Sequence, residues 1–275
     1  MGGSSAISAP AARLALITGA SAGIGEAFAR AYAAHGLDLA LVARRADRLE
    51  ALAAELRAAH GVQVLVIPAD LSVWEAHPAV LEAVAKAGRH VDVLVNNAGF
   101  GVPQSFTGAP WERQRDFLMT LVVNACGFAY GVIPGMAERG WGRIVNVASL
   151  AAFSPGAAGY TLYPAAKSFA VKFSQSLDAE LRGKGVKVTA ICPGFTQTEF
   201  AAASGTQHLM DQAPRRFWQT PEAVVREAIA ANEAGKVVVA TGWHNKLVAG
   251  LMQMLPDSLL SALIRLGGAK YRIED

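Results

Sequence analysis

Residues 14–35 constrain the fold most. Leu14-Ala15-Leu16-Ile17-Thr18 is a short apolar strand candidate that runs directly into Gly19-Ala20-Ser21-Ala22-Gly23-Ile24-Gly25 and then into an alanine-rich helical stretch through His35. Strand, glycine turn and helix in this order make an anion cradle. Backbone N–H groups and the helix N-terminus face a phosphate, and glycine lets it approach closely. The spacing Gly-x-x-x-Gly-x-Gly departs from the commoner dinucleotide pattern, but its place at the first strand–helix junction points to nucleotide binding.

The alternation continues along the chain. Strands are expected over 37–43, 62–67, 91–95, 143–148, 186–192 and 237–240, with helices over 47–60, 111–133, 160–181 and 221–234. Such alternation implies right-handed crossovers and a parallel sheet, with ligands outside the C-terminal ends of the strands. Thr18 to Gly25, Arg44, Asp70 with Leu71, Asn96 to Gly99, and Ser149 all fall at such ends. In a dinucleotide fold the end of the second strand meets the adenosine ribose. An acid there suits NAD, whereas arginine accommodates a 2′-phosphate. Arg44 and Arg45 therefore favour NADP(H) over NAD(H).

Tyr163 and Lys167 are four positions apart on one expected helix, so they share a face. A free phenol titrates near ~10, too high for proton transfer around neutrality. A neighbouring ammonium favours the phenolate and is expected to lower that value toward the working pH. Ser149, at a strand end, can polarise a substrate carbonyl from beside the tyrosine. Asn124 is a polar amide in an apolar helix (LVVNACGFAY) and must find partners if buried.

The composition narrows the classes. With 52% hydrophobic and only 17% charged residues, 275 residues can bury a sizeable core, and a net charge of +3 without a basic block gives nucleic-acid binding little support. Cys126 and Cys192, both in apolar surroundings, suggest unpaired thiols in a reducing, cytoplasmic setting. The six histidines are scattered without ligand spacing, so no metal is expected. Residues 1–12 read as a disordered lead, and no run reaches the ~18 apolar residues of a spanning helix, so the protein is expected to be soluble. Residues 199–219 have little periodicity and read as a lid over a substrate pocket. The apolar tail 246–266, broken at Pro256, is expected to pack on the core or a partner subunit, with interfacial membrane contact as the alternative.

Taken together, TGASAGIG (18–25), NNAG (96–99), Asn124, Ser149, Tyr163-Pro-Ala-Ala-Lys167 and Pro193-Gly194 with Thr198 resemble the short-chain dehydrogenase/reductase family over roughly residues 13–242. The resemblance implies a single-domain, Rossmann-type, doubly wound α/β fold with about seven parallel strands and helices on both faces. A C-terminal helical extension would follow from 243 to 275. Gly19, Ser21, Ala22, Gly23, Ile24 and Gly25 would bind the cofactor pyrophosphate, Arg44 and Arg45 the 2′-phosphate, and Asp70 and Leu71 the adenine. Asn97, Ala98 and Gly99 would line the cofactor cleft, and Pro193, Gly194, Thr196 and Thr198 would meet the nicotinamide. Asn124, Ser149, Tyr163 and Lys167 match the catalytic tetrad. Tyr163 would be the acid/base and Ser149 the carbonyl orienter. Lys167 would hold the nicotinamide ribose and lower the tyrosine pKa, and Asn124 would hold the helix and a relay water. Phe100, Tyr160 and Phe195 would line the substrate pocket.

NNAGFG…F (96–106) and Gly242-Trp-His-Asn-Lys246 look like a bacterial subgroup of general-purpose reductases. Three departures stand out. Ser149 lies fourteen positions before Tyr163, one more than the family's usual spacing; Ala166 stands where serine is common; and Ala22 replaces a basic residue of many NADP-preferring members. The implied activity is NADP(H)-dependent interconversion of a carbonyl and a secondary alcohol by a homodimer or homotetramer. The alternatives are a catalytically silent NADP(H)-binding sensor and a membrane-associated lipid reductase.

Overall fold

The computed structural model describes residues 12–156, 159–207, 214–256 and 258–262. The expected N-terminal lead lies outside these residues except for residue 12, as do the middle of the 199–219 segment and the end of the tail. Seven strands, β1 (Leu14–Thr18), β2 (Asp38–Ala43), β3 (Val64–Pro68), β4 (Val93–Asn96), β5 (Gly142–Val147), β6 (Val186–Cys192) and β7 (Val238–Ala240), form one sheet in the order β3-β2-β1-β4-β5-β6-β7. Every pairing is parallel.

Nine α-helices are described: α1 (Gly23–Ala34), α2 (Ala46–His60), α3 (Ala76–Lys86), α4 (Trp111–Leu118), α5 (Asn124–Glu138), α6 (Leu162–Glu180), α7 (Phe200–Ala203), α8 (Pro221–Glu233) and α9 (Trp243–Met254). Successive strand residues point to opposite faces, and β1 shows the result. Ala15 and Ile17 pack with Phe28 of α1, Leu52 of α2 and Val224 of α8. Leu14 and Leu16 pack with Val80 of α3, Phe128 of α5 and Leu177 of α6. Burial on both faces explains why these strands read as continuous apolar runs rather than alternating ones.

Strand order reverses between β1 and β4, where Ile17 registers with Val95. The glycine turn after β1 and the Asn-Asn-Ala-Gly run after β4 are thereby neighbours. Asn96 registers with Asn146 on β5, and Val147 with Ile191 on β6, so Ser149 and Pro193 leave the same edge. One topological switch point collects four of the expected motifs.

Three elements differ from expectation. Helix α3 lies in a stretch with no element assigned from the sequence. The long helix expected to end at 133 continues to Glu138, giving a helical run of 28 residues, Trp111–Glu138, whose most apolar window has a mean hydropathy of 1.7. That run is long and apolar enough to cross a membrane by composition alone, which a search for uninterrupted apolar residues passes over. In the fold its Phe117, Phe128, Val132 and Met136 are buried core residues. Within it, Met119–Val123 is a π-helical turn immediately before Asn124. Single π turns inside α-helices are frequent at functional sites.

Candidate active site

The glycine turn is held by its own backbone and by Asn97. The Asn97 amide donates to Thr18 O at 2.8 Å and Gly19 O at 3.3 Å, while the Thr18 hydroxyl accepts from Asn97 N and Ala98 N, both at 3.0 Å. Gly19 has φ +67° and Gly23 φ +59°, conformations that favour glycine. A Cβ at Gly25 would lie 2.3 Å from Gly19 O, and one at Gly23 would lie 2.9 Å from the Thr198 methyl. The turn therefore lies directly against the loop that leaves β6. Gly99 lies beside Leu121, and Ile24 packs against the core.

In that loop, Thr196 pairs with Gln219 in an isolated bridge and its hydroxyl donates to Gly194 O. Gly194 is pressed onto Asn245, where a Cβ would meet the side-chain oxygen at 2.5 Å. Asn245 donates to Thr241 O at 2.8 Å and lies 3.1 Å from the Gln219 amide. Lys246 and the Gly242 N–H both bond Glu227, and the His244 Nε2 donates to Phe217 O. The Gly242–Lys246 motif thus braces the loop after β6, a purpose invisible in its sequence.

Ser149, Tyr163 and Lys167 are brought together. The Ser149 hydroxyl lies close enough to the Tyr163 phenol to pull its pKa down. After Ser149 comes a 3-10 turn, Leu150–Phe153, which Ser149 caps by accepting from Ala151 N. Lys167 Nζ donates to Val147 O at 2.8 Å and lies 5.5 Å from the Tyr163 ring centroid. Tyr163 is covered by Tyr160, at 4.8 Å between ring centroids, and by Phe200 of α7, at 5.9 Å.

The expected lowering of the tyrosine pKa is not what this arrangement produces. Burial pushes Tyr163 up to about 12 against the lowering effect of Ser149, and burial pulls Lys167 down to about 8. Desolvation disfavours both charged forms. Cys192, buried beside the Ser149 N–H and Lys167, is likewise pushed up to about 12 by burial. Both cysteines are free thiols.

Asn124 points away from this cluster. Its Nδ2 donates to Leu71 O and Val73 O, each at 2.9 Å, and its Oδ1 accepts from His77 N at 3.0 Å. Its amide is spent bolting α5 to the β3–α3 connection, below Asp70, which accepts from Ser72 N. Asn96 donates to Ala125 O and to Asn146, which in turn donates to Ser174, so buried polar bonds tie β4, β5, α5 and α6 together. Phe100 stacks edge-on against Phe117 below Arg113, whereas Phe195 goes to the surface against Trp218.

Arg44 is exposed at the end of β2, and the bonds are made by its neighbours. Arg45 donates from Nη2 to Ser21 Oγ at 3.0 Å and from Nη1 to Glu199 at 2.9 Å, and Arg48 reaches Glu199 at 2.7 Å. Arg48, Glu199, His77 and Phe200 carry no sequence signal of their own. Only the fold brings them here.

A doubly wound α/β sheet with a glycine cradle at its switch point and a Ser–Tyr–Lys cluster across from it defines a nucleotide-dependent oxidoreductase of the alcohol–carbonyl class. Residues 13–209 match the short chain dehydrogenase family, to which the chain belongs. It is 36% identical to an uncharacterized oxidoreductase of Myxococcus xanthus over 92% of this chain and 96% of that one. It is 37% identical to a serine 3-dehydrogenase of Agrobacterium fabrum over 71% and 78% of the two chains. A short-chain dehydrogenase from Sphingobium yanoikuyae, solved in complex with NADPH, superposes with a TM-score of 0.76 at 31% identity, over 89% of this chain and 96% of that one.

Proposed function

We propose that the chain interconverts a carbonyl and a secondary alcohol using NADP(H), with Tyr163 moving the proton. The observation that carries this reading is the gathering of Ser149 and Lys167 around Tyr163, at the same edge of the sheet as the glycine cradle. The cradle fits a pyrophosphate, since the glycine turn leads into the N-terminus of α1 at Gly23, where Ala22 offers no side-chain cap and the first-turn N–H groups are open to an anion. The NADPH complex of the Sphingobium relative and the arginines at the end of β2 both support NADP(H). Arg44, Arg45 and Arg48 would take the 2′-phosphate, and Thr196 and Thr198 the nicotinamide end.

When bound, the nicotinamide supplies or accepts the hydride. Ser149 orients the substrate oxygen, and the Tyr163 phenol gives that oxygen a proton during reduction or removes it during oxidation. Lys167 holds the ribose and favours the phenolate. Burial is the main cause of the high tyrosine pKa, so the phenol is held protonated, as the reduction direction requires. Asn124 holds α5 against the β3–α3 connection and, through it, the floor of the site. The outer faces of α5 and α6, where Tyr130 is 84% and Phe169 38% exposed, would be covered by a second copy.

Replacing Tyr163 by Phe tests the assignment. Turnover of a ketone panel with NADPH should fall by about 10²–10⁴-fold while NADPH fluorescence still reports binding. Undiminished turnover would assign the proton to another group.

A further inference from the structure

The segment covering Tyr163 is pinned at both ends. At its inner end, buried Ser204 accepts from Gly101 N at 2.9 Å. At its outer end, Glu199 accepts from Arg45 Nη1 at 2.9 Å and, through both its oxygens, from Arg48 Nη1 at 2.7 and 2.9 Å. Between the pins lies α7, whose Phe200 rests on the Tyr163 ring. Arg45 also reaches back to Ser21 in the glycine turn, so one guanidinium joins the cradle to the start of the lid.

We propose that Glu199 is a specificity-determining gate. Its carboxylate holds the arginine pair that a 2′-phosphate would take, so NADP(H) frees the outer end of the lid and NAD(H) leaves it pinned. This rests on the NADP(H) reading above. The chemistry of the exchange is direct. A phosphate monoester carries close to two negative charges and three acceptor oxygens, against one charge and two oxygens on a carboxylate. Two guanidiniums already committed to Glu199 and Ser21 cannot also bond a phosphate in full. The phosphate and Glu199, drawn to the same cations, repel each other. The contest is set where it can be reversed: the Arg45, Arg48 and Glu199 side chains are 42%, 45% and 53% exposed, so the latch is weak enough for a ligand to break.

Two small ligands differing by the 2′-phosphate isolate the effect: adenosine 2′,5′-bisphosphate and adenosine 5′-monophosphate. Binding is measured by calorimetry and backbone amide exchange is followed over residues 200–205. The bisphosphate should bind more tightly than the monophosphate and accelerate exchange, while the monophosphate leaves exchange unchanged. Glu199→Gln should exchange fast without ligand and bind the bisphosphate about fivefold more tightly, the upper range for an exposed ion pair, with monophosphate affinity unaltered. Tighter bisphosphate binding with no change in exchange, and no gain from Glu199→Gln, would overturn the gate and leave the NADP(H) reading standing. Equal binding of the two ligands would overturn the NADP(H) reading and the gate with it.

Discussion

The cradle and the lid meet the same cofactor cleft but are built by opposite means. The cradle is held by close main-chain packing and one amide. Gly25 packs on Gly19 O, the Asn97 side chain grips Thr18 and Gly19, and no side chain could be added at Gly19 or Gly25 without moving main chain. The lid is held by side chains, an exposed carboxylate at one end and a serine hydroxyl at the other. Main-chain packing excludes alternatives, whereas a few side-chain bonds can be exchanged for bonds to a ligand. A site that must both fix a pyrophosphate and admit a substrate needs one of each.

The largest effect should come from violating the cradle. Gly25→Ala puts a methyl against a carbonyl that cannot move aside, and should lower unfolding free energy by about 3 kcal/mol in chemical denaturation, the upper range for overpacking. A smaller loss would mean the turn is less rigid than its contacts imply.

Lys167 sharpens the comparison from the fixed side, because it is buried with its charge. Its folded pKa of about 8 lies below the ordinary lysine value of 10.5. Below pH 8 both states hold the proton and the folded state bears the burial penalty. Between about 8 and 10.5 the unfolded state binds more protons, so stability rises with pH. That rise is roughly 3 kcal/mol at 1.36 kcal/mol per pKa unit. Lys167→Met should lack it, so the stability difference between variant and parent should shift by this amount from pH 7.5 to 10.5. A constant difference would mean that Lys167 is not desolvated.

Ser204→Ala leaves the Gly101 N–H buried without its acceptor and should cost about 1–3 kcal/mol, read as faster exchange of that amide with the cradle unaffected. The smallest effect is expected from salt. Raising ionic strength to about 1 M shortens the Debye length to about 3 Å, so the Glu199 latch should loosen while the cradle stays as it was. Equal response of the two regions would erase the distinction between them.

Much of the frame was legible from residue order. Strand β1 falls where its apolar run begins and ends, because a strand buried on both faces needs an unbroken apolar segment. Helix α3 escaped because its apolar face is narrow: only Ala76, Val80 and Val84, every fourth residue, are buried, in a stretch interrupted by His77 and Pro78. The π turn before Asn124 escaped for a similar reason, since helical turns of different pitch share the same residues.

The sequence by itself determined the alternating elements, the glycine turn that only small residues can make, and the Tyr163–Lys167 spacing on one helix face. These depend on neighbours along the chain. Tertiary structure decided what residues distant in sequence do to one another. It turned Asn124 toward Leu71, Val73 and His77, joined Arg45 and Arg48 to Glu199, and raised rather than lowered the Tyr163 pKa. Spacing along a helix says which groups can meet. How dry the place is where they meet, and hence which charge survives there, is set by what folds over them.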